Sequence, residues 1–227
     1  MSNQNPPIDI ESVNQLNLPE PPTIKFEYQK DHMFRGLKLV KGHTVAMRTS
    51  WKDDERSVYD EGHNGQMIGD WWPWLICALR DRAHGSINAG ICGKKGVGAV
   101  SIYMGSASKK GYIYDNIDNG NTIEYCGSEA GTPLMDLSFE KGTLIRVLRA
   151  ANDKSDWAPS IGYRYDGLYK IVSKELIQVP EKDKELYRYK MVRDKNQKPL
   201  RAHARPTIEE TDEFEAKRAW LGGASKK

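Results

Sequence analysis

The feature that most constrains this chain is a series of short apolar runs separated by glycine-bearing loops, with only one helical segment among them. Gly98-Ala-Val100-Ser-Ile102-Tyr-Met104, Thr143-Leu-Ile145-Arg-Val147-Leu-Arg149, Gly167-Leu-Tyr169-Lys-Ile171-Val-Ser and Leu186-Tyr-Arg188-Tyr-Lys190-Met-Val read as strands. The run from Thr143 to Arg149 alternates and should be half-buried. Gly69-Asp-Trp71-Trp72-Pro73-Trp74, with the apolar residues up to Ala78, reads as a further buried strand. Thr132 to Phe139 is the one helix expected between strands. Many short strands and few helices predict a β-rich α+β fold built on a curved sheet or barrel.

The flanks read differently. Residues 1–23, with Pro6-Pro7 and Pro19-Glu-Pro21-Pro22, suit a disordered polar lead. From Ile24 to about Val40 the apolar spacing suggests a partly amphipathic helix, and Trp51 to Gly65 a charged connecting loop. Residues 24–62 therefore lead into a body at 63–193. After Val192 the chain turns basic (Arg193, Lys195, Lys198, Arg201, Arg205), and residues 194–227 follow as this basic stretch and a helix. Thr207-Ile-Glu-Glu210 is a capping-box pattern for its start, and Gly222-Gly223 a stop.

Catalytic templates fail. No GxSxG, HExxH, GxxxxGK[ST] or strand-to-helix GxGxxG is present, and the five histidines show no ligand spacing. His84 is expected at a turn or on the surface. Cys77, Cys92 and Cys126 are odd in number and scattered, which suits reduced thiols rather than a disulfide framework or a zinc site. No segment approaches the roughly 18 apolar residues of a membrane span, and Met1 to Asp9 carries no secretory pattern. These observations predict neither an enzyme, a cofactor, a metal, a membrane partner nor a small-molecule substrate. The net charge of +3 permits a nucleic-acid partner without requiring one.

Two loops carry chemistry. Asn88-Ala-Gly90-Ile-Cys92-Gly93-Lys94-Lys95-Gly96-Val-Gly98 combines glycines, which let backbone approach a ligand closely, with Lys94 and Lys95, which suit phosphates. The same residues also suit a solvated hairpin turn. Lys109 to Gly120, followed by Glu124-Tyr125-Cys126-Gly127, places tyrosines beside carboxylates and amides. That set suits a pocket that stacks a planar base and bonds its edge, or a polar loop whose tyrosines cap the core.

Gly162-Tyr-Arg164-Tyr165-Asp166-Gly167-Leu168-Tyr169-Lys170 resembles the signature of the SRA, or YDG, domain. Four further blocks resemble the family's in the same order. They are His84 to Gly93, with Cys92 where histidine is usual, Ala99-Val-Ser-Ile, Gly111 to Gly127, and Ile145-Arg-Val-Leu-Arg149. The resemblance implies a PUA-like, strongly curved β-barrel with flanking helices, the SRA saddle. It implies a non-catalytic nuclear module that binds double-stranded DNA and flips a modified cytosine, 5-methyl or 5-hydroxymethyl, into a pocket. Chromatin proteins are further implied partners. A scaffold that has lost base reading, and the specificity subunit of a modification-dependent nuclease, are the alternatives.

Carried over by residue, the resemblance puts Tyr125 in the pocket wall and Cys126 at the family's threonine position. With one extra residue in the loop, Tyr112 is the second stacking ring and Asp115 reads the base edge. Without it, the edge position is Asn116 and the stacking position Ile113. The first placement keeps both aromatic and acid and is preferred. Asn88, with Gly90 and Gly98 in the same loop, falls where the family wedges the duplex, and Lys94 and Lys95 fall beside phosphates. Tyr165, Asp166 and Gly167 are expected to be structural, with the glycine in a tight turn and Asp166 capping backbone amides. The family's long basic finger has no room between Gly127 and Gly142.

Overall fold

The structure is a computed structural model that describes residues 28–49, 54–105, 116–127, 131–179, 184–200 and 205–222. Strands β1 (Leu37–Lys38) and β2 (Ala46–Met47) form a small separate pair. The main sheet contains β3 (Trp71–Trp72), β4 (Ile91–Lys94), β5 (Gly98–Met104), β6 (Ile117–Asn119), β7 (Thr122–Cys126), β8 (Leu144–Ala150), β9 (Tyr163–Val179) and β10 (Lys184–Arg193). Three helices accompany them: α1 (Leu75–Arg80), α2 (Thr132–Lys141) and α3 (Ile208–Trp220). The strand order is β4-β5-β8-β9-β10-β7-β6, with β3 added to β9, and only β5–β8 is parallel.

The sheet is strongly curved, and its cause is visible in the register. Shifts interrupt β4–β5 at Cys92/Gly93, β8–β9 at Arg146/Leu148 and β9–β10 at Lys190/Met191. Each extra residue bends its strand and raises the local twist. As a result the two ends of the path approach each other. A Cβ on Gly90, just before β4, would lie 2.7 Å from the phenol oxygen of Tyr125 on β7. No backbone ladder between β4 and β6 closes the sheet among the described residues.

Two apolar clusters fill the two sides. One joins Trp71, Trp72, Trp74, Phe34 and Phe214 of α3. The other joins Ile91, Ile102, Ile123, Tyr125, Ile145, Val147 and Met191 under Met135 of α2. The capping box at Thr207 and Glu210 is formed, and α3 docks Phe214 edge-on against Trp71 and Trp74.

Three expectations are corrected. Residues 28–40 form turns and β1 rather than a helix, because Gly36 takes a φ of +66°, which breaks helical continuity. The apolar run after Pro73 is helix α1 rather than strand, and its end is held by Arg80, which bonds Asp81 and the carbonyls of Met33 and Arg35. Strand β8 is buried from Ile145 to Arg149 rather than half-buried, because it is covered on both faces.

Candidate nucleic-acid interface

The β6–β7 hairpin carries the candidate pocket. Its two-residue turn, Gly120-Asn121, needs a left-handed first residue, and Gly120 has a φ of +71°. A side chain there is also excluded by Trp157, whose ring atoms would lie 2.6 Å from a Cβ. The register pairs Ile117 with Glu124 and Asp118 with Ile123. Alternation then places Asn116 across from Tyr125, on the face of Asp118 and Ile123. Asn116 Oδ1 accepts the Cys126 N–H at 2.9 Å. Tyr125 is 6% exposed, and Cys126 is buried opposite Arg188 of β10. Tyr112 and Asp115 lie outside the described residues.

Arg149 of β8 fixes this hairpin from inside. Its Nε and Nη2 donate to the two oxygens of Asp118 at 2.8 Å each, and Nη2 also donates to the Gly120 carbonyl at 2.8 Å. Ser155 and the Gly120 N–H add donors to Asp118, and Tyr169 donates to the Gly120 carbonyl at 2.9 Å. Burial pushes the Asp118 carboxyl up, but hydrogen bonds and charge from Arg149 outweigh it and hold the group below the usual carboxylate range. The remaining nitrogen of Arg149 meets Asp166, which also accepts from Arg164 at 2.6 and 3.0 Å. Arg164 in turn donates to the carbonyl of Trp157 at 2.6 Å. Two guanidinium groups and two carboxylates thus balance in a closed buried network.

The Tyr165-Asp166-Gly167 segment differs from the expected turn. It lies inside β9, where Asp166 and Gly167 together face Val147, so the segment is a β-bulge. Gly167 has a φ of +105°, and a Cβ there would meet Gln197 Oε1 at 2.5 Å. That oxygen accepts the Leu168 N–H. Asp166 caps no backbone amide; its oxygens are taken by Arg149 and Arg164. Tyr165 is fully buried with its hydroxyl 2.7 Å from His63 Nδ1.

The second loop is braced rather than open. His84 is completely buried, not at the surface. Its Nε2 donates to the Ala89 carbonyl at 2.9 Å, so Nδ1 accepts from the Ser101 hydroxyl at 2.8 Å. Burial, with Arg146 nearby, pulls its pKa down to about 4 against the Ala89 bond. Ser86 Oγ accepts the N–H groups of Asn88 and Ala89. Asn88 is exposed on the loop so formed, and Gly90 bonds the Tyr103 N–H. Lys94 and Lys95 are exposed at the β4–β5 turn. Gly98 is buried beneath α2, where a Cβ would meet Ser138 Oγ at 2.4 Å, so it cannot face a ligand.

Sequence reasoning missed Arg146 and Arg149 as organisers, although both stand in the quoted Ile145–Arg149 run. A signal existed. Three residues apart on a strand, the two arginines must face opposite sides, so a β8 covered on both faces has to bury both. Among the described residues no group of His, Cys, Asp or Glu could hold a metal ion, and no helix is long and apolar enough to cross a membrane.

The family model for the SAD/SRA domain matches residues 60–197. The chain is 30% identical over 161 residues to a UHRF1-like protein of Cryptococcus neoformans var. grubii, over 59% of this chain and 44% of that protein. It therefore spans less than half of that relative. Among solved structures it is similar to the modification dependent TagI restriction endonuclease, with 26% identity, a TM-score of 0.53, and coverage of 61% of this chain and 54% of that one. The SUVH5 SRA domain, solved in a hemi methylated CG DNA complex, shares its fold with a TM-score of 0.50 at 21% identity, over 60% of this chain and 94% of that one.

Proposed function

This chain belongs to the SAD/SRA domain family, and we propose that it is a non-catalytic module that binds duplex DNA and takes a 5-methyl- or 5-hydroxymethylcytosine out of the helix. The observation that carries this reading is the meeting of Gly90 with the Tyr125 phenol. It joins the exposed loop bearing Asn88 to the hairpin bearing Tyr125, so one element can fill the duplex where the other holds the extruded base. Flipping costs a few kcal/mol, which stacking on Tyr125 and bonds to the base edge must offset. Lys94 and Lys95 at the neighbouring turn suit phosphates, which position the duplex without reading it. On this reading the module acts on nuclear DNA beside chromatin proteins, as a reader of the modified base.

The test is affinity for otherwise identical duplexes carrying cytosine, 5-methylcytosine or 5-hydroxymethylcytosine, at one salt concentration, since phosphate contacts make affinity salt-dependent. A modified duplex should bind about tenfold tighter or more, and Tyr125→Ala should lose about 1–3 kcal/mol of binding to that duplex. Equal affinity for all three duplexes would favour a scaffold that retains the fold without base reading.

A further inference from the structure

One end of the main sheet gathers lysines from three elements. Strand β4 ends at Lys94, and Lys95 follows in the turn to β5. Strand β8 runs parallel to β5, so its start at Leu144 lies at the same end, where it pairs with Lys170 of β9. Helix α2 leads into β8 there, with Lys141 in its last turn. Lys94, Lys95, Lys141 and Lys170 are all exposed. Two contacts bring them together. Lys141 Nζ donates to the Gly96 carbonyl, which ties the β4–β5 turn to the helix. Gly142 ends α2 with a φ of +67°, and a Cβ there would stand 3.1 Å from Lys170 Nζ, so the bare glycine lets Lys170 lie across the helix end.

Lysines often collect at a helix C-terminus to bond its last carbonyls. These do not. The N–H groups of Gly142 and Thr143 serve the carbonyls of Phe139 and Ser138, Lys141 bonds a different element, and Lys170 bonds no group among the described residues. None of the four lysines has a carboxylate partner among the described residues. Lys174, on the same strand as Lys170, differs: Asp136 holds it at 2.8 Å, and Glu140 adds its charge. The acids of α2 thus serve Lys174 and leave the other four cations uncompensated. The fold makes no ion pair with them, and a row of phosphates is their chemical complement.

Resting on the duplex binding proposed above, we infer that Lys141 and Lys170 continue the phosphate contacts of Lys94 and Lys95. The duplex then runs on from the β4–β5 turn across the C-terminal end of α2. Phosphates carry no sequence information, so this track sets affinity and its salt dependence and leaves the choice of base to the pocket.

The experiment measures affinity for cytosine and 5-methylcytosine duplexes across a salt series, for the wild type and for Lys141→Gln with Lys170→Gln. Each phosphate contact contributes about 0.9 to the slope of log affinity against log salt, so the double variant should flatten it by about 1.8. Between about 50 and 200 mM salt it should therefore lose roughly tenfold less affinity than the wild type. Both duplexes should weaken by the same factor, with the preference between them unchanged. Lys170→Gln alone removes no bond within the protein and should flatten the slope by about 0.9, which guards against a disturbed turn in the double variant. Lys174→Gln, which removes a lysine already neutralised, should leave the slope as it is. An unchanged slope in the double variant, or equal flattening by Lys174→Gln, overturns the inference and leaves base reading standing. A wild type that binds both duplexes equally overturns base reading, and the slopes still decide the lysines.

Discussion

Arg146 and Arg149 stand on opposite faces of one strand, both fully buried, and solve the same problem differently. Arg149 meets two carboxylates and one carbonyl. Arg146 meets no carboxylate. It donates to the carbonyls of Ala83, Asp60, Gly62 and Val58, at 3.2, 2.5, 2.8 and 2.9 Å. Burial lowers the pKa of Arg146, whereas at Arg149 the hydrogen bonds it donates to Asp118 and the charge of Asp166 outweigh burial and raise it. The first arginine orders loop backbone around residues 58–62 and 83. The second locks the turn of the candidate pocket to the Tyr-Asp-Gly bulge. One strand therefore braces the pocket hairpin on one face and the backbone at residues 58–62 and 83 on the other, and only one brace is charge-balanced.

The largest expected effect follows from that imbalance. Arg149→Met strands Asp118 in the interior and leaves Asp166 with Arg164 alone, and stability should fall by about 3–5 kcal/mol. Arg146→Met strands only carbonyls, on loop segments that can turn towards water, so the loss should be about 1–3 kcal/mol. Urea unfolding of both variants measures the difference. A larger loss from Arg146→Met would break the comparison, because it would mean that the carbonyl cage is the stronger brace.

The two faces should also fail at different pH. His84 packs beside Arg146, with its folded pKa near 4 against an ordinary 6.5. Between those values the unfolded chain binds the extra proton, so stability is full above about pH 6.5 and falls as the pH drops towards 4. A depression of that size corresponds to about 3 kcal/mol. On the Arg149 face, the Asp118 carboxyl lies below its ordinary 3.8, so its contribution persists above 3.8 and is lost only as the pH falls through the lower folded value. Stability measured from pH 7 to 3 should therefore drop in two stages. His84→Gln should shrink the first stage and leave the second, the remainder of the first belonging to His63, whose pKa burial also lowers; an unchanged first stage in the variant would assign it to another group.

The same contrast explains what could be read in advance. Alternation and turn residues located β5, β8, β10, α2 and the capped α3, because those signals are local. The strand bearing Tyr125 was also legible, as a match of order and spacing, whereas its pairing with residues 117–119 was not. His84, Asp166 and the arginines were misread or passed over because their roles depend on partners far along the chain. His84 needs Ser101, Asp166 needs Arg149, and Arg146 needs carbonyls more than 80 residues away at Val58, Asp60 and Gly62. The apolar run after Trp72 failed for another reason: a continuous short apolar run does not distinguish buried strand from buried helix.

The smallest expected effect concerns the segment that neither arginine touches. Between Gly127 and Gly142, residues 132–141 are helix α2, and that helix is committed to the body of the fold. Asp136 accepts from Lys174 and from the Tyr189 hydroxyl, Ser138 donates to the Ala99 carbonyl, and Lys141 reaches the Gly96 carbonyl. A helix so placed cannot also reach across a duplex to sense the opposite strand. Its acidic residues, Asp136 and Glu140, would in any case oppose the guanine edges that arginine or lysine read. Discrimination on the second strand should therefore stay well below the roughly 1–3 kcal/mol of one good bidentate contact. Fully and hemimodified duplexes should bind within a few-fold per modified site, with little dependence on sequence context. Titrating both at one salt concentration decides it. A tenfold preference for the hemimodified duplex would require another probe, and the exposed Lys195 and Lys198 of the basic stretch would be the first place to substitute.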